Sequence, residues 1–226
     1  MKYEILYGNT FPLVKVKLER DEAIKAEMNA MISMSPKVEL KGTLDGGILR
    51  GFGRLLSGEK FFFQELLASE CQGEVLLAPN SVGDVQAVEL DGSYTLLVQK
   101  NGFLAATMGI KVSTKIQNIS KSLFSGEGFF ILEVSGKGTV FISSFGAIHA
   151  ISLSDHEEVV IDSQHLVAWP SYMNYKVEKA SKGWFSTFTS GELAVCRFKG
   201  KGTVLIQTRN GKGFGSWVQQ FIPRGN

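Results

Sequence analysis

Apolar and polar residues alternate with a period of two along most of the chain, and apolar residues at helical spacing are rare. The stretches FPLVKVKLE (11–19), GDVQAVEL (83–90), SYTLLVQ (93–99), GTVFISS (138–144) and GTVLIQT (202–208) are rich in β-branched and aromatic side chains. They are bounded by Gly, Ser, Asn or Asp, which is the composition of strands between tight turns. The 25 glycines fall at element boundaries rather than in one linker, so many reversals of direction are expected. Helical patterning is confined to the last stretch, GSWVQQFIP (215–223), and to a turn within GILRGFGRLL (47–56).

The strand pattern repeats. Ser57-Gly58-Glu59, Ser125-Gly126-Glu127 and Ser190-Gly191-Glu192 are each followed by an apolar strand (KFFFQELL, GFFILEVS, LAVCRFKG) and then by a glycine-led strand (GEVLLAP, GTVFISS, GTVLIQT). Upstream, DEAIKAEMNAMISMS (21–35), GSYTLLVQKNGFLAAT (92–107) and HEEVVIDSQHLVAWPS (156–171) align as strand, bend, strand, with Asn29, Asn101 and Gln164 at the bend. The expectation is an all-β chain forming one domain over 1–226. It is built from three pseudo-repeats of sandwich or meander type, about 1–80, 81–145 and 146–212, arranged around a pseudo-threefold axis. The segment 213–226 follows with a short helix. A unit of roughly 65 to 70 residues buries its apolar face only against its neighbours. A motif present three times is better explained by a shared backbone need than by one catalytic centre. The nine Ser-Gly-Glu residues are therefore read as structural turns, with glycine supplying a positive φ and Ser and Glu bonding nearby amides.

Charge and motif content narrow the function further. The 24 basic and 22 acidic residues are interspersed, giving a net charge of +2, so nothing gathers nucleic acid by long-range attraction and none is expected as a partner. Cys71 and Cys196 lie far apart in apolar runs and read as small buried hydrophobes. No apolar run approaches a membrane span, and MKYEILYGNT lacks the pattern of a secretory leader, so a cytoplasmic location is expected. Gly51-Phe52-Gly53 has no third glycine in register for a dinucleotide fingerprint. Gly-Lys-Gly-Thr at 136–139 and 200–203 enters a strand and reads as a β-turn with lysine at its tip. His149, His156 and His165 lack zinc-site spacing, and no nucleophile elbow is present. The acid pairs Asp21/Glu22 and Glu157/Glu158 read as solvated hairpin tips. No catalytic residue, metal or cofactor is expected.

One feature points to a partner. The segments before the three Ser-Gly-Glu turns, ILRGFGRLL, KIQNISKSLF and KASKGWFSTF, mix positive charge with apolar residues. Gathered at one end, they would set Arg50, Arg54, Lys121 and Lys182 beside Leu56, Phe124, Trp184 and Phe188, a surface suited to a protein or an anionic membrane.

YEILYGNTFPLVKVKLERDEAIKAE, MISMSP, LLSGEKFF, GEVLLAP, KSLFSGEGFFILEVSGKGTVFISSFGAI and SQHLVAWP resemble the altered inheritance of mitochondria protein twenty-four family through nearly the whole chain. The resemblance implies an all-β fold similar to the tryptophan RNA-binding attenuation protein, built by internal duplication, with no established catalysis. It also implies a scaffold or assembly role, family members in mitochondria being linked to inner-membrane organisation. The RNA-binding residues of the attenuation protein have no matched positions here. Asn29 stands where the family pattern has glycine, and asparagine tolerates the positive φ of that bend. The function expected is a non-enzymatic scaffold presenting the basic and apolar surface to a protein or membrane partner. A small-ligand binding module is the alternative, and a hydrolase the remote third. Homo-oligomers would follow from open β-edges.

Overall fold

The computed structural model describes residues 1–8, 10–44, 62–116, 130–179 and 194–223. Seven strands come first: β1 (Lys2–Leu6), β2 (Leu13–Leu18), β3 (Ala23–Glu27), β4 (Met31–Met34), β5 (Glu39–Leu44), β6 (Phe62–Leu67) and β7 (Gly73–Leu77). Then come β8 (Val85–Asp91), β9 (Leu96–Gln99), β10 (Phe103–Thr107), β11 (Ile110–Ile116) and the long β12 (Phe130–Ser143). The last set is β13 (Ile148–Leu153), β14 (Glu158–Asp162), β15 (Leu166–Pro170), β16 (Asn174–Lys179), β17 (Ala194–Lys199) and β18 (Gly202–Gln207), followed by helix α1 (Gly211–Gln219). The expected all-β fold with a short C-terminal helix is present. The helix begins at Gly211 rather than within 215–223 because the Asn210 side chain caps it, accepting from the Gly213 amide.

The strands form a four-stranded sheet β1-β2-β7-β4, an eleven-stranded sheet through β12, and a three-stranded sheet β14-β17-β16. Every ladder among the described strands is antiparallel. In each third of the chain one ladder sets a strand between two others, as β2·β7·β4, β8·β12·β10 and β13·β18·β15. A second ladder does the same with β3·β6·β5, β9·β12·β11 and β14·β17·β16. Two further joints stitch these together, β10 to β3 and β15 to β9. Among the described strands the remaining candidates, β4 and β14, are not paired with each other: β4 pairs only with β7, and β14 only with β17.

Burial follows from this stitching. In β2, Val14, Val16 and Leu18 are buried while the intervening lysines face outward, as in a sheet covered on one side. In β10 and β15 every residue from Phe103 to Ala106 and from Leu166 to Pro170 is buried, because those strands are covered on both faces. The first core takes Ile24, Leu66, Val75 and Leu77 together with Leu104 and Phe141. The second takes Phe63, Phe103, Val140, Ile142, Val98 and Leu132. The third takes Leu97, Ile131, Trp169, Cys196 and Phe198. Each fully buried Phe or Leu contributes about 1.5–3 kcal/mol of transfer free energy, so the shared strands tie adjacent cores energetically.

The structure departs from two of the expectations drawn from sequence. Gly136-Lys137-Gly138 is not a reversing turn: β12 runs through it, kinked by φ of 108° at Gly136 and 145° at Gly138, and the strand changes ladders there. Lys137 is exposed, as expected of a tip. Cys71 is exposed rather than buried, because it lies in the turn before β7; Cys196 is buried, and both are free thiols.

Candidate functional site

The residues expected to bind a partner, Arg50, Arg54, Leu56, Lys121, Phe124, Lys182, Trp184 and Phe188, lie outside the described residues. So do all three Ser-Gly-Glu motifs. What is described is where their segments are anchored. Each joins two adjacent antiparallel strands at a paired position: Leu44 opposite Phe62, Ile116 opposite Phe130, and Lys179 opposite Ala194.

The second anchor has a polar neighbour. The Lys100 ammonium stands 5.8 Å from the centre of the Phe130 ring and acts on the Glu27 carboxyl, whose residue pairs with Phe63. Burial pushes Glu27 up to about 7, and Lys100 offsets part of that rise. Gln64, buried beside it, donates to the Glu27 carbonyl at 3.0 Å. No sequence pattern marks Glu27, since a single acid on an alternating strand carries no motif.

The other chemistry-bearing residues are dispersed. Among the described residues no three His, Cys, Asp or Glu side chains are grouped to hold a metal. Burial, with a smaller contribution from Asp162, raises the Cys196 thiol to about 12, which keeps it protonated and unreactive. Only part of the acid pairs belongs to turns: Glu22 accepts from the Glu19 amide and Glu157 from the Ser154 amide, three residues earlier in each case, whereas Glu158 opens β14 and pairs with Arg197 rather than standing free at a tip. Glu22 also pairs with the N-terminal amine. The amine bond first and the Glu19 amide second hold Glu22 below the usual carboxylate range, and the Ser154 amide does the same for Glu157.

Two surfaces remain. One is the pair of strand edges. β4 carries Ile32, 55% exposed, and Met28 just before it is also exposed; β14 carries the half-buried Val159 and Val160. The other is α1, none of whose residues is buried. Its cap is tied to the body by His165. The ring Nδ1 lies 2.7 Å from the Gln207 carbonyl, which can only accept, so Nδ1 carries the proton and Nε2 accepts from the Asn210 amide at 3.0 Å. No described helix is long and apolar enough to cross a membrane.

The comparisons with known proteins fit this β architecture. The family model described as "Mitochondrial biogenesis AIM24" matches residues 3–209. The chain belongs to this family. An uncharacterized protein of Streptococcus pyogenes serotype M6 is 30% identical over 231 residues, covering 99% of this chain and 92% of the relative. The AIM24 relative from Verticillium alfalfae, named altered inheritance of mitochondria protein 24, mitochondrial, is 25% identical over 170 residues; these are 74% of this chain and 43% of that one. The crystal structure of protein SPYM3_0169 from Streptococcus pyogenes superposes with a TM-score of 0.81 at 30% identity, over 98% of this chain and 99% of the other.

Proposed function

We propose that this AIM24 protein is a non-catalytic assembly scaffold of the cytoplasm whose copies join edge to edge, β4 of one pairing with β14 of the next. The repeated joint supports this reading. β10 adds to β3 with Ala106 opposite Lys25, and β15 adds to β9 with Trp169 opposite Leu97. Counted from the bends at Asn29, Asn101 and Gln164, Met34 corresponds to Ala106 and Trp169, and Val160 to Lys25 and Leu97. β4 and β14 thus carry the two halves of a joint the chain makes twice within itself. An open edge is a template for another strand. Because the two edges differ, the contact is head to tail, and repetition closes a ring or runs on as a filament. The segments carrying Arg50, Arg54, Leu56, Lys121, Phe124, Lys182, Trp184 and Phe188 would then be displayed in many copies to a protein or membrane partner.

The test is a disulfide across the joint. Opposed strand residues hold their Cβ atoms close enough for one. In a Cys71→Ser background, Met34→Cys with Val160→Cys should yield covalent oligomers on mild oxidation, and light scattering should give the untreated protein a mass of several chains. A monomeric mass, or a cross-link only within one chain, would end this reading.

A further inference from the structure

We infer that α1 and the turn after it form an interfacial anchor that lays the protein on an anionic lipid surface. The apolar side chains are arranged for this. Phe214, Trp217 and Phe221 follow the three- and four-residue spacing of one helix side, with ring centres 5.9 Å and 5.1 Å apart along it. Phe145, from the loop before β13, extends the row onto the body, 5.4 Å from Phe214. Trp217 is 55% exposed, Phe221 67% and Ile222 58%, so the row faces outward. A chain that buries Trp169 and Phe198 completely leaves these rings in water.

Charge selects the occupant. From Leu193 to the last residue the sequence holds no Asp or Glu, while Arg209, Lys212 and Arg224 flank the stretch from Phe214 to Phe221 in sequence. An aromatic side between basic residues, on a helix too short to span, is the pattern of a segment lying in the headgroup plane with its rings about 5–10 Å deep. The Asn210 cap clamped by His165 fixes where the helix leaves the body, so the row is presented at a set angle. This inference is independent of strand-edge assembly, though many copies would multiply the attachment.

The experiment is co-sedimentation of the full chain with phosphatidylcholine vesicles, with and without phosphatidylserine, and quenching of Trp217 by brominated lipid in a Trp184→Phe background. Binding to the anionic vesicles should fall about tenfold or more when phosphatidylserine is omitted, and likewise in Phe214→Ser/Trp217→Ser/Phe221→Ser. Arg209→Gln/Lys212→Gln should weaken binding and reduce its salt dependence. The serine variant should keep the melting temperature of the parent, because the replaced side chains are exposed. A parent chain that stays in the supernatant, a serine variant that still binds, or an unquenched Trp217 would overturn the inference. So would a serine variant whose only change is a smaller oligomer, since the row would then be covered by another copy.

Discussion

Glu27 is a carboxyl held where ionisation is costly, and the consequence is measurable. Its folded form titrates at about 7, against about 4.3 for an unfolded glutamate. Between about pH 4.5 and about 7 the folded state therefore keeps a proton that the unfolded chain has lost. Stability must fall as pH rises through that window and level off above it. Allowing for partial solvent access, the loss is about 1–2 kcal/mol. Gln99 occupies the corresponding place before the next bend and donates to the Ser163 carbonyl, so an amide suits this kind of site. Glu27→Gln should remove the slope and leave the protein more stable than its parent at about pH 8, as measured by urea unfolding. A parent whose stability climbs across the same window would contradict the assignment. At this scale the sequence was legible wherever backbone geometry restricts the residue type. Asn29, expected to tolerate a positive φ, has φ 67°. The rise at Glu27 depends on what the fold stacks around it, which no local pattern encodes.

Among the elements, β12 shows most clearly what alternation can and cannot predict. The apolar rhythm of FILEV and TVFIS marks both halves as strands, and the positive-φ glycines between them were foreseeable. Whether such glycines reverse the chain or merely kink it was not, because either outcome needs the same φ. The partners decide: the first half pairs with β9 and β11 and the second with β8 and β10. At Gly136 the backbone passes so close to the Gly109 carbonyl that any Cβ would collide with it. Gly136→Ala should therefore cost about 2–4 kcal/mol, combining a strained φ with a steric clash, and should lower the denaturant midpoint accordingly. Gly200, also at positive φ, has no atom closer than 4.0 Å to such a Cβ and is the control: Gly200→Ala should cost only the backbone strain. Equal losses would mean that the close approach at β12 is not what requires glycine. The strand edges and the aromatic row of α1 differ in legibility for a related reason. The row could have been read from the spacing in FGSWVQQF and the lack of acids after Glu192. An unpaired edge is a property of what is missing beside a strand, and no residue records it.

Across the whole molecule, the cores are linked by strands buried on both faces. Leu104 and Phe141 enter the first core while Phe103 and Ile142, on the same strands, enter the second. Leu97 and Ile131 enter the third core while Val98 and Leu132, beside them, enter the second. Loss of the middle core would strip both outer cores of a wall, so β9, β10, β12 and β15 should exchange their amide hydrogens only on global unfolding. β4 and β14 each have a ladder partner on one side alone among the described strands, so their outward amides should exchange by local opening. Hydrogen exchange read by mass spectrometry should rank the strands in that order in dilute solution. The same measurement bears on assembly, because a ladder between copies would protect outward amides of β4 and β14 and no others. Protection there should rise with protein concentration while the central strands stay unchanged. Edges that exchange equally fast at every concentration would leave the scaffold without its joint, and edges protected even at the lowest concentration would mean that the chain already covers them itself.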